Sequence, residues 1–242
     1  MPKFTFHLMS REPVAEGTTA FRFEFEGQDF TFKPGQYVSL TVPNPLYQDA
    51  KGSTRSFSIA SSPQDRFLLI ATRMSGSALN RTLAGVPLST RVEVRGPLGS
   101  FTLPQDASRP IVLVAGGIGI TPFRSMVKHA TEQSLPHRLT LIYSNRTPQD
   151  APFLDELHAW ERQNPNFRFV PTITKPEQAR VSWHGRTGYI DGAFVREVVE
   201  ERARAVVYAA GPPGMVGGVA RALAEAGVAD DQIRTEEFDG YE

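Results

Sequence analysis

The feature that most constrains this chain is a change of hydrophobic period near Pro104. Upstream of it, apolar and polar residues alternate, as in Phe4-Thr5-Phe6-His7-Leu8, Phe21-Arg22-Phe23-Glu24-Phe25, Tyr37-Val38-Ser39-Leu40 and Arg91-Val92-Glu93-Val94. Period two puts successive side chains on opposite faces, so these runs read as half-buried strands. Turn residues separate them at Glu16-Gly17, Glu26-Gly27-Gln28-Asp29, Pro34-Gly35 and Pro43-Asn44-Pro45, and a small antiparallel barrel is the natural closure. One short helix, over 77–84, is predicted to interrupt it.

Downstream, strands and helices take turns. The polar stretch Gln105-Asp106-Ala107-Ser108-Arg109-Pro110 reads as a connection, which divides the chain into segments 1–104 and 110–242. The continuous apolar run Ile111–Ala115 suits a strand buried on both faces of a parallel sheet. A helix is predicted over 121–133, with Thr121 as its cap and Pro122 in its first turn. Further strands are expected at 139–143, 167–173 and 205–210, and further helices near 150–162, near 192–201 and after Gly214. That alternation argues a doubly wound α/β sheet.

Composition narrows the function classes. Hydrophobic residues make up 40%, charged residues 21%, and 26 Lys+Arg balance 26 Asp+Glu. Such a neutral surface has no field to attract nucleic acid or anionic lipid, so no nucleic-acid or membrane partner is expected. The longest apolar run, 111–120, is about half a bilayer span, and the N-terminus alternates instead of forming a secretory core. A cytoplasmic location is the expectation. The chain contains no cysteine, which excludes disulfides, a thiolate nucleophile and a thiolate-held iron–sulfur cluster. None of the five histidines stands in zinc-binding order with another, so no metal site is expected.

Ligands of open parallel sheets bind beyond the carboxyl ends of the strands. Three of those ends are unusual here. Gly116-Gly117-Ile118-Gly119-Ile120-Thr121-Pro122 puts bare backbone between a buried strand and a helix N-terminus, where a pyrophosphate can approach; the alternative is glycine needed only for a tight turn. Gly211-Pro212-Pro213-Gly214-Met215 forms a rigid shelf, or simply stops a strand. Ser144-Asn145-Arg146 carries a cation where an NAD-binding chain usually places an acid, which suits the extra phosphate of NADP, with Lys175 and Arg186 as helpers; a solvated surface charge is the plain alternative.

In the first segment, Arg55-Ser56-Phe57-Ser58 combines a guanidinium, a flat ring and hydroxyls within four residues. That set suits a flavin nucleotide, with charge for phosphate, a face for stacking and a donor for a ring nitrogen. A barrel strand with a surface arginine fits the pattern equally.

Read in order, Pro34-Gly35-Gln36-Tyr37, the 55–58 segment, Gly96-Pro97-Leu98-Gly99-Ser100-Phe101, the glycine loop and the proline shelf resemble the ferredoxin–NADP reductase family nearly end to end. The resemblance implies a stand-alone oxidoreductase with no iron–sulfur domain. Its first segment would be a six-stranded antiparallel FAD-binding β-barrel, and its second a Rossmann-like doubly wound α/β domain holding NADP or NAD. Arg55 would pair with the FAD pyrophosphate, with Gly76, Ser77 and Ala78 donating to the same group; Ser56, Phe57, Ala71 and Thr72 would lie around the flavin. Ser58 would hydrogen-bond near the hydride-accepting nitrogen, and Thr121 would sit beside the nicotinamide. Gly116, Gly117, Gly119, Gly211, Pro212 and Met215 would frame the dinucleotide. Phe238 would cover the flavin as part of a C-terminal tail, and Glu236 would match the family's acidic residue; alternatively Phe238 finishes an edge strand.

Two departures stand out. Phe57 replaces the more usual tyrosine, and Ala210 takes the place of a cysteine implicated in orienting the nicotinamide. The function implied is transfer of electrons from NAD(P)H through flavin to a ferredoxin, a flavodoxin or an oxygenase component, with Lys51, Arg73 and Arg81 as candidates for a docking rim. The alternatives are a reductase of diffusible flavin or ferric chelates, and, because of Ala210, a regulatory module with little turnover.

Overall fold

The computed structural model describes residues 2–25, 27 and 29–238. Six antiparallel strands come first: β1 (Lys3–Ala15), β2 (Thr18–Phe25), β3 (Tyr37–Thr41), β4 (Thr54–Ser58), β5 (Leu68–Arg73) and β6 (Arg91–Leu98), in the order β4-β3-β6-β1-β2-β5. The sheet curls until its edges meet, where Ala60 N–H donates to the Leu69 carbonyl at 2.8 Å. The alternating apolar residues all turn inward: Phe6, Leu8, Phe21, Phe23, Val38, Leu40, Phe57, Val92 and Val94 form one core. Between β5 and β6 lies α1 (Ala78–Gly85), whose cap Ser77 accepts from Asn80 N–H at 3.3 Å.

The second sheet is wholly parallel, built from β7 (Ile111–Gly116), β8 (Leu139–Asn145), β9 (Phe167–Ile173), β10 (Arg186–Thr187), β11 (Val206–Gly211) and β12 (Ile233–Glu237), in the order β10-β9-β8-β7-β11-β12. Helices α2 (Ile120–Glu132) and α3 (Leu154–Gln163) cover one face; α4 (Gly192–Val198) and α5 (Pro213–Glu225) cover the other. In β7, Ile111, Leu113 and Ala115 join the first layer while Val112 and Val114 join the second, which is why this strand reads as an unbroken apolar run. The chain walks outward from β7 to β10 and then returns to β11 on β7's other side. The order therefore reverses between β7 and β11, and a crevice opens there at the strands' carboxyl ends.

Several elements differ from the sequence reading. Helix α3 begins at Leu154 instead of near 150, because Phe153 takes a left-handed conformation (φ 62°) after a short 3-10 turn. The edge strand β10, two residues long, was not expected, and β12, Ile233-Arg234-Thr235-Glu236-Glu237, which is mostly polar, corresponds to the edge strand given as the alternative reading of Phe238. Thr121 does not cap α2. Gly119 holds that position, and the Thr121 hydroxyl donates to the Ile118 carbonyl at 3.1 Å.

The two sheets are joined along one face of α2. Arg124 Nη1 donates to the Ala60 carbonyl at 2.6 Å, Ser125 Oγ to the Ser61 carbonyl at 2.6 Å, and Lys128 pairs with Asp65 at 2.9 Å. Farther along the seam, Tyr208 on β11 donates its hydroxyl to the Thr102 carbonyl at 2.7 Å. No helix among the described residues is long and apolar enough to cross a membrane.

Candidate active site

The crevice at the reversal point is a cleft of about 350 Å³. Its floor is the turn after β7, where Gly117 adopts φ +53° and a Cβ would face open space. Such a conformation suits glycine and leaves backbone amides accessible. Gly116, Ser144, Arg146, Pro212 and Met215 line the walls as the sequence led us to expect. Gly211 packs against Gly116 so closely that a Cβ on it would meet that residue's backbone at 3.2 Å. Two expected helpers, Lys175 and Arg186, are not in the lining. Arg186 is engaged with the Glu197 carboxylate and with the Phe194 ring, 4.8 Å away.

Several lining residues were not legible as such, Arg73, Asp150 and Tyr189 among them. Arg73, at the end of β5, reaches over from the first sheet and stands 4.0 Å from Asp150, whose carboxylate also accepts from Thr147 Oγ1 at 2.7 Å. Tyr189 lines the outer edge with 77% of its surface exposed. Only the placement of one sheet against the other brings Arg73 here, so no local pattern in the sequence could have marked it as a cleft residue. Of the other cations considered for a docking rim, Arg81 lies 3.8 Å from the centre of the Tyr47 ring.

A second, much smaller cavity of about 20 Å³ lies at the seam between the sheets. Ser56, Phe57, Ser58 and Ala71 line it from the first sheet, and Ile118, Thr121 and Phe238 from the second half. Thr72, buried beside Ala71, turns its hydroxyl to the Arg73 carbonyl at 3.3 Å instead. Phe238 follows β12 directly, is held by its N–H to the Gly211 carbonyl at 3.0 Å, and closes the cavity. Phe238 thus continues an edge strand, as the alternative reading had it, and lines the same cavity as Ser58 and Thr121. Residues 239–242 of the expected tail lie outside the described residues. Glu236 pairs in register with Ala210, and burial pushes its carboxyl up to about 7. The turn 116–121 is the wall shared by both spaces, because Gly116 and Gly117 face the cleft while Ile118 and Thr121 face the small cavity.

Arg55 is on β4, and its guanidinium meets the start of α1 at a single carboxylate, that of Asp49. Arg55 Nη2 donates to Asp49 Oδ1 and Oδ2 at 2.9 and 3.1 Å, and Ala78 N–H donates to Oδ2 at 3.2 Å. Gly76, at φ +78°, turns the chain into that helix. A guanidinium fork and a helix N-terminus converging on one anion constitute a phosphate-type cradle, here filled by a side chain of the protein itself.

The comparisons with known proteins agree with this geometry. Residues 5–103 match the family model for an oxidoreductase FAD-binding domain, and residues 113–221 match that for an oxidoreductase NAD-binding domain. Ferredoxin–NADP reductase B of Sorangium cellulosum is 31% identical, with 98% of each chain covered. The reductase component of propane 2-monooxygenase from Rhodococcus jostii is also 31% identical over 94% of this chain, and the toluate 1,2-dioxygenase electron transfer component of Pseudomonas putida 29% over 93%; the present chain spans only 61% and 64% of their lengths. Among solved structures, the Amycolatopsis cytochrome P450 reductase superposes with a TM-score of 0.83 at 27% identity, covering 98% of this chain and 70% of that one. A ferredoxin NADP+ reductase from Neisseria gonorrhoeae with bound FAD and NADP shares the fold, at a TM-score of 0.79 and 20% identity over 98% and 99% of the two chains. The chain belongs to the ferredoxin–NADP reductase family of NAD(P)H-dependent flavoprotein oxidoreductases.

Proposed function

We propose that this protein takes reducing equivalents from NAD(P)H, NADPH in preference to NADH, and passes electrons through FAD to a one-electron acceptor protein of the ferredoxin, flavodoxin or oxygenase-component class. The observation that carries the reading is the shared wall at 116–121, which puts a dinucleotide cleft and the seam beneath Ser58 back to back. Residues 1–104 are assigned to the flavin and 110–242 to the nicotinamide nucleotide.

The residues present fit FAD on the diphosphate side, because the Arg55 and α1 cradle already holds an anion. On the ring side the cavity, about 20 Å³, admits the flavin only as its lining gives way. When bound, FAD supplies the conversion of a two-electron hydride donor into single electrons. The protein's part is positional. Arg55, Ser77 and the Ala78 N–H bind the diphosphate, and Phe57 and Ala71 pack beside the ring. Ser58 and Thr121 offer hydroxyls from the two sides of the seam. Phe238 excludes water, and Glu236, ionising near neutrality, can hold or release a proton beside Ala210.

The nucleotide is assigned to the cleft, with its phosphates over Gly116 and Gly117 and with Arg73 as a cation contributed by the flavin-binding half. The preference for NADPH rests on Arg146, which is exposed in the cleft lining and pairs with no carboxylate among the described residues. An arginine fork matches a 2′-phosphate well.

Anaerobic titration of the FAD-loaded protein with NADPH and NADH tests the reading directly. The flavin absorbance is expected to bleach with either, faster with NADPH, and electrons are then expected to reach a ferredoxin added in stoichiometric amount. A flavin that stays oxidised with both nucleotides overturns the assignment.

A further inference from the structure

We propose that the loop from Pro43 to Gly52 is a built-in competitor for the flavin diphosphate, with the Asp49 carboxylate seated on the anion cradle until the dinucleotide displaces it. The inference rests on the reading of Arg55 and α1 as the diphosphate site.

The Arg55 guanidinium and the Ala78 N–H of that cradle are both turned toward the loop. Arg55 Nη2 makes a two-point contact with Asp49, while Nη1 donates to the carbonyls of Lys51, Gly52 and Thr54 at 2.8, 2.8 and 2.7 Å. Asp49 accepts in addition from Ala78 N–H at 3.2 Å and from Lys51 N–H at 2.9 Å. Burial works against its charge, yet the Arg55 hydrogen bond and the Ala78 and Lys51 N–H groups hold its carboxyl below the usual carboxylate range. It is therefore an anion at neutral pH, as a diphosphate is.

The helix does not need this carboxylate as a cap, because Ser77 already fills that role. Nor is the loop a loose arm. Tyr47 N–H donates to Thr82 Oγ1 at 3.1 Å and its ring lies under the Arg81 guanidinium, so the segment is laid along α1 with Asp49 at the open end. The contact is also reversible. The Asp49 and Arg55 side chains keep 32% and 22% of their surface exposed, and ion pairs so near the surface are weak enough to exchange for a better ligand. Two anions cannot share one guanidinium and one helix terminus without strong repulsion, so occupancy by Asp49 and by diphosphate exclude each other.

The consequence is a protein that holds FAD less tightly than its cradle allows. The test titrates the flavin-free full-length chain with FAD, ADP and riboflavin, comparing Asp49→Asn and Asp49→Ala with the wild type by flavin fluorescence or, for ADP, by calorimetry. Both variants are expected to bind FAD and ADP about tenfold more tightly or better, while riboflavin, which has no phosphate, binds unchanged. A second measurement needs no variant: the wild-type association rate is expected to level off with rising FAD concentration at the rate of loop release. Unchanged or weakened FAD binding in the variants, an equal shift for riboflavin, or an association rate that climbs linearly without levelling overturns the proposal. Should the wild type bind FAD and be reduced while the variants bind it no better, only the competitor role falls. If no form binds FAD, the functional reading falls with it.

Discussion

Gly119 lies against the end of β11 so closely that a Cβ on it would stand 2.8 Å from the Cα of Gly211 and nearer still to the Ala210 carbonyl oxygen. The backbone of one strand end thus forms the ceiling over the helix that begins at the other. Both residues are at the reversal point of the sheet, and their separation sets the width of the wall between cleft and cavity. Gly119→Ala is expected to force the strand end away, at a cost of about 1–3 kcal/mol, typical of overpacking a tight site. Urea unfolding measures the loss. Reduction by NADPH is expected to slow as well, because the shared wall moves; a variant with native stability would show that the ceiling yields.

The raised carboxyl of Glu236 makes two linked predictions. Because burial lifts its folded-state pKa to about 7, the group folds most favourably while protonated. Its contribution to stability is complete below the pKa of the unfolded chain, about 4.3, and is lost as pH rises through about 7. Glu236→Gln, neutral throughout, is expected to remove that decline, so its advantage over the wild type grows between about pH 4.5 and about pH 7 and levels off above that in denaturant titrations. The same variant is expected to flatten any inflection near neutrality in the rate of flavin reduction. Parallel pH profiles for the two proteins would dissociate Glu236 from both effects.

How much of this was legible in the sequence follows from how local each signal is. The inward faces of the first sheet and the buried run of β7 were readable because the period of burial is written residue by residue. The start of α1 was readable because Ser77 meets the backbone only three residues on. The same logic failed at Thr121, since a 3-10 turn over 117–119 runs straight into α2 and gives the cap to Gly119. Strand β12 was legible only as the alternative reading of Phe238 because, as an edge strand paired only with β11, it needs little apolar content. The pairing of Asp49 with Ala78 spans 29 residues and that of Arg73 with the cleft depends on how two sheets dock; neither leaves a mark in either neighbourhood. The motif residues therefore pointed to the strand ends that border the cleft, while the partners of those residues had to come from the fold.

Arg124 holds the halves together from inside the seam. Its side chain keeps 9% of its surface, donates to the Ala60 carbonyl and to Glu156 at 2.6 Å each, and lies 4.6 Å from the Phe153 ring. Arg124→Met keeps much of the volume and leaves the Ala60 carbonyl without its charged donor, with an expected loss of about 1.5–3 kcal/mol. Glu156→Gln is expected to cost less than about 1 kcal/mol, since that carboxylate is 42% exposed and screened by water. Thermal or urea unfolding of the two variants separates them, and a Glu156 effect equal to that of Arg124 would mean that the ion pair with α3, not the carbonyl contact across the seam, carries the contribution of Arg124.

We propose that Arg146 carries the choice between the two nicotinamide nucleotides. It follows β8 in the cleft lining, its backbone carbonyl is fixed by Lys175 N–H at 2.8 Å, and its guanidinium pairs with no carboxylate among the described residues. Lys175 and Arg186 contribute little, the second because Glu197 and the Phe194 ring already engage it. Loss of one charge-assisted contact of about 1.5–3 kcal/mol corresponds to a fall of about tenfold to a hundredfold in kcat/KM for NADPH. Arg146→Ala is therefore expected to lower NADPH efficiency by that factor while NADH efficiency changes less than about twofold, and Arg186→Ala to spare both. An equal loss with the two nucleotides would place Arg146 on the shared pyrophosphate, leaving preference between them to be set elsewhere in the cleft.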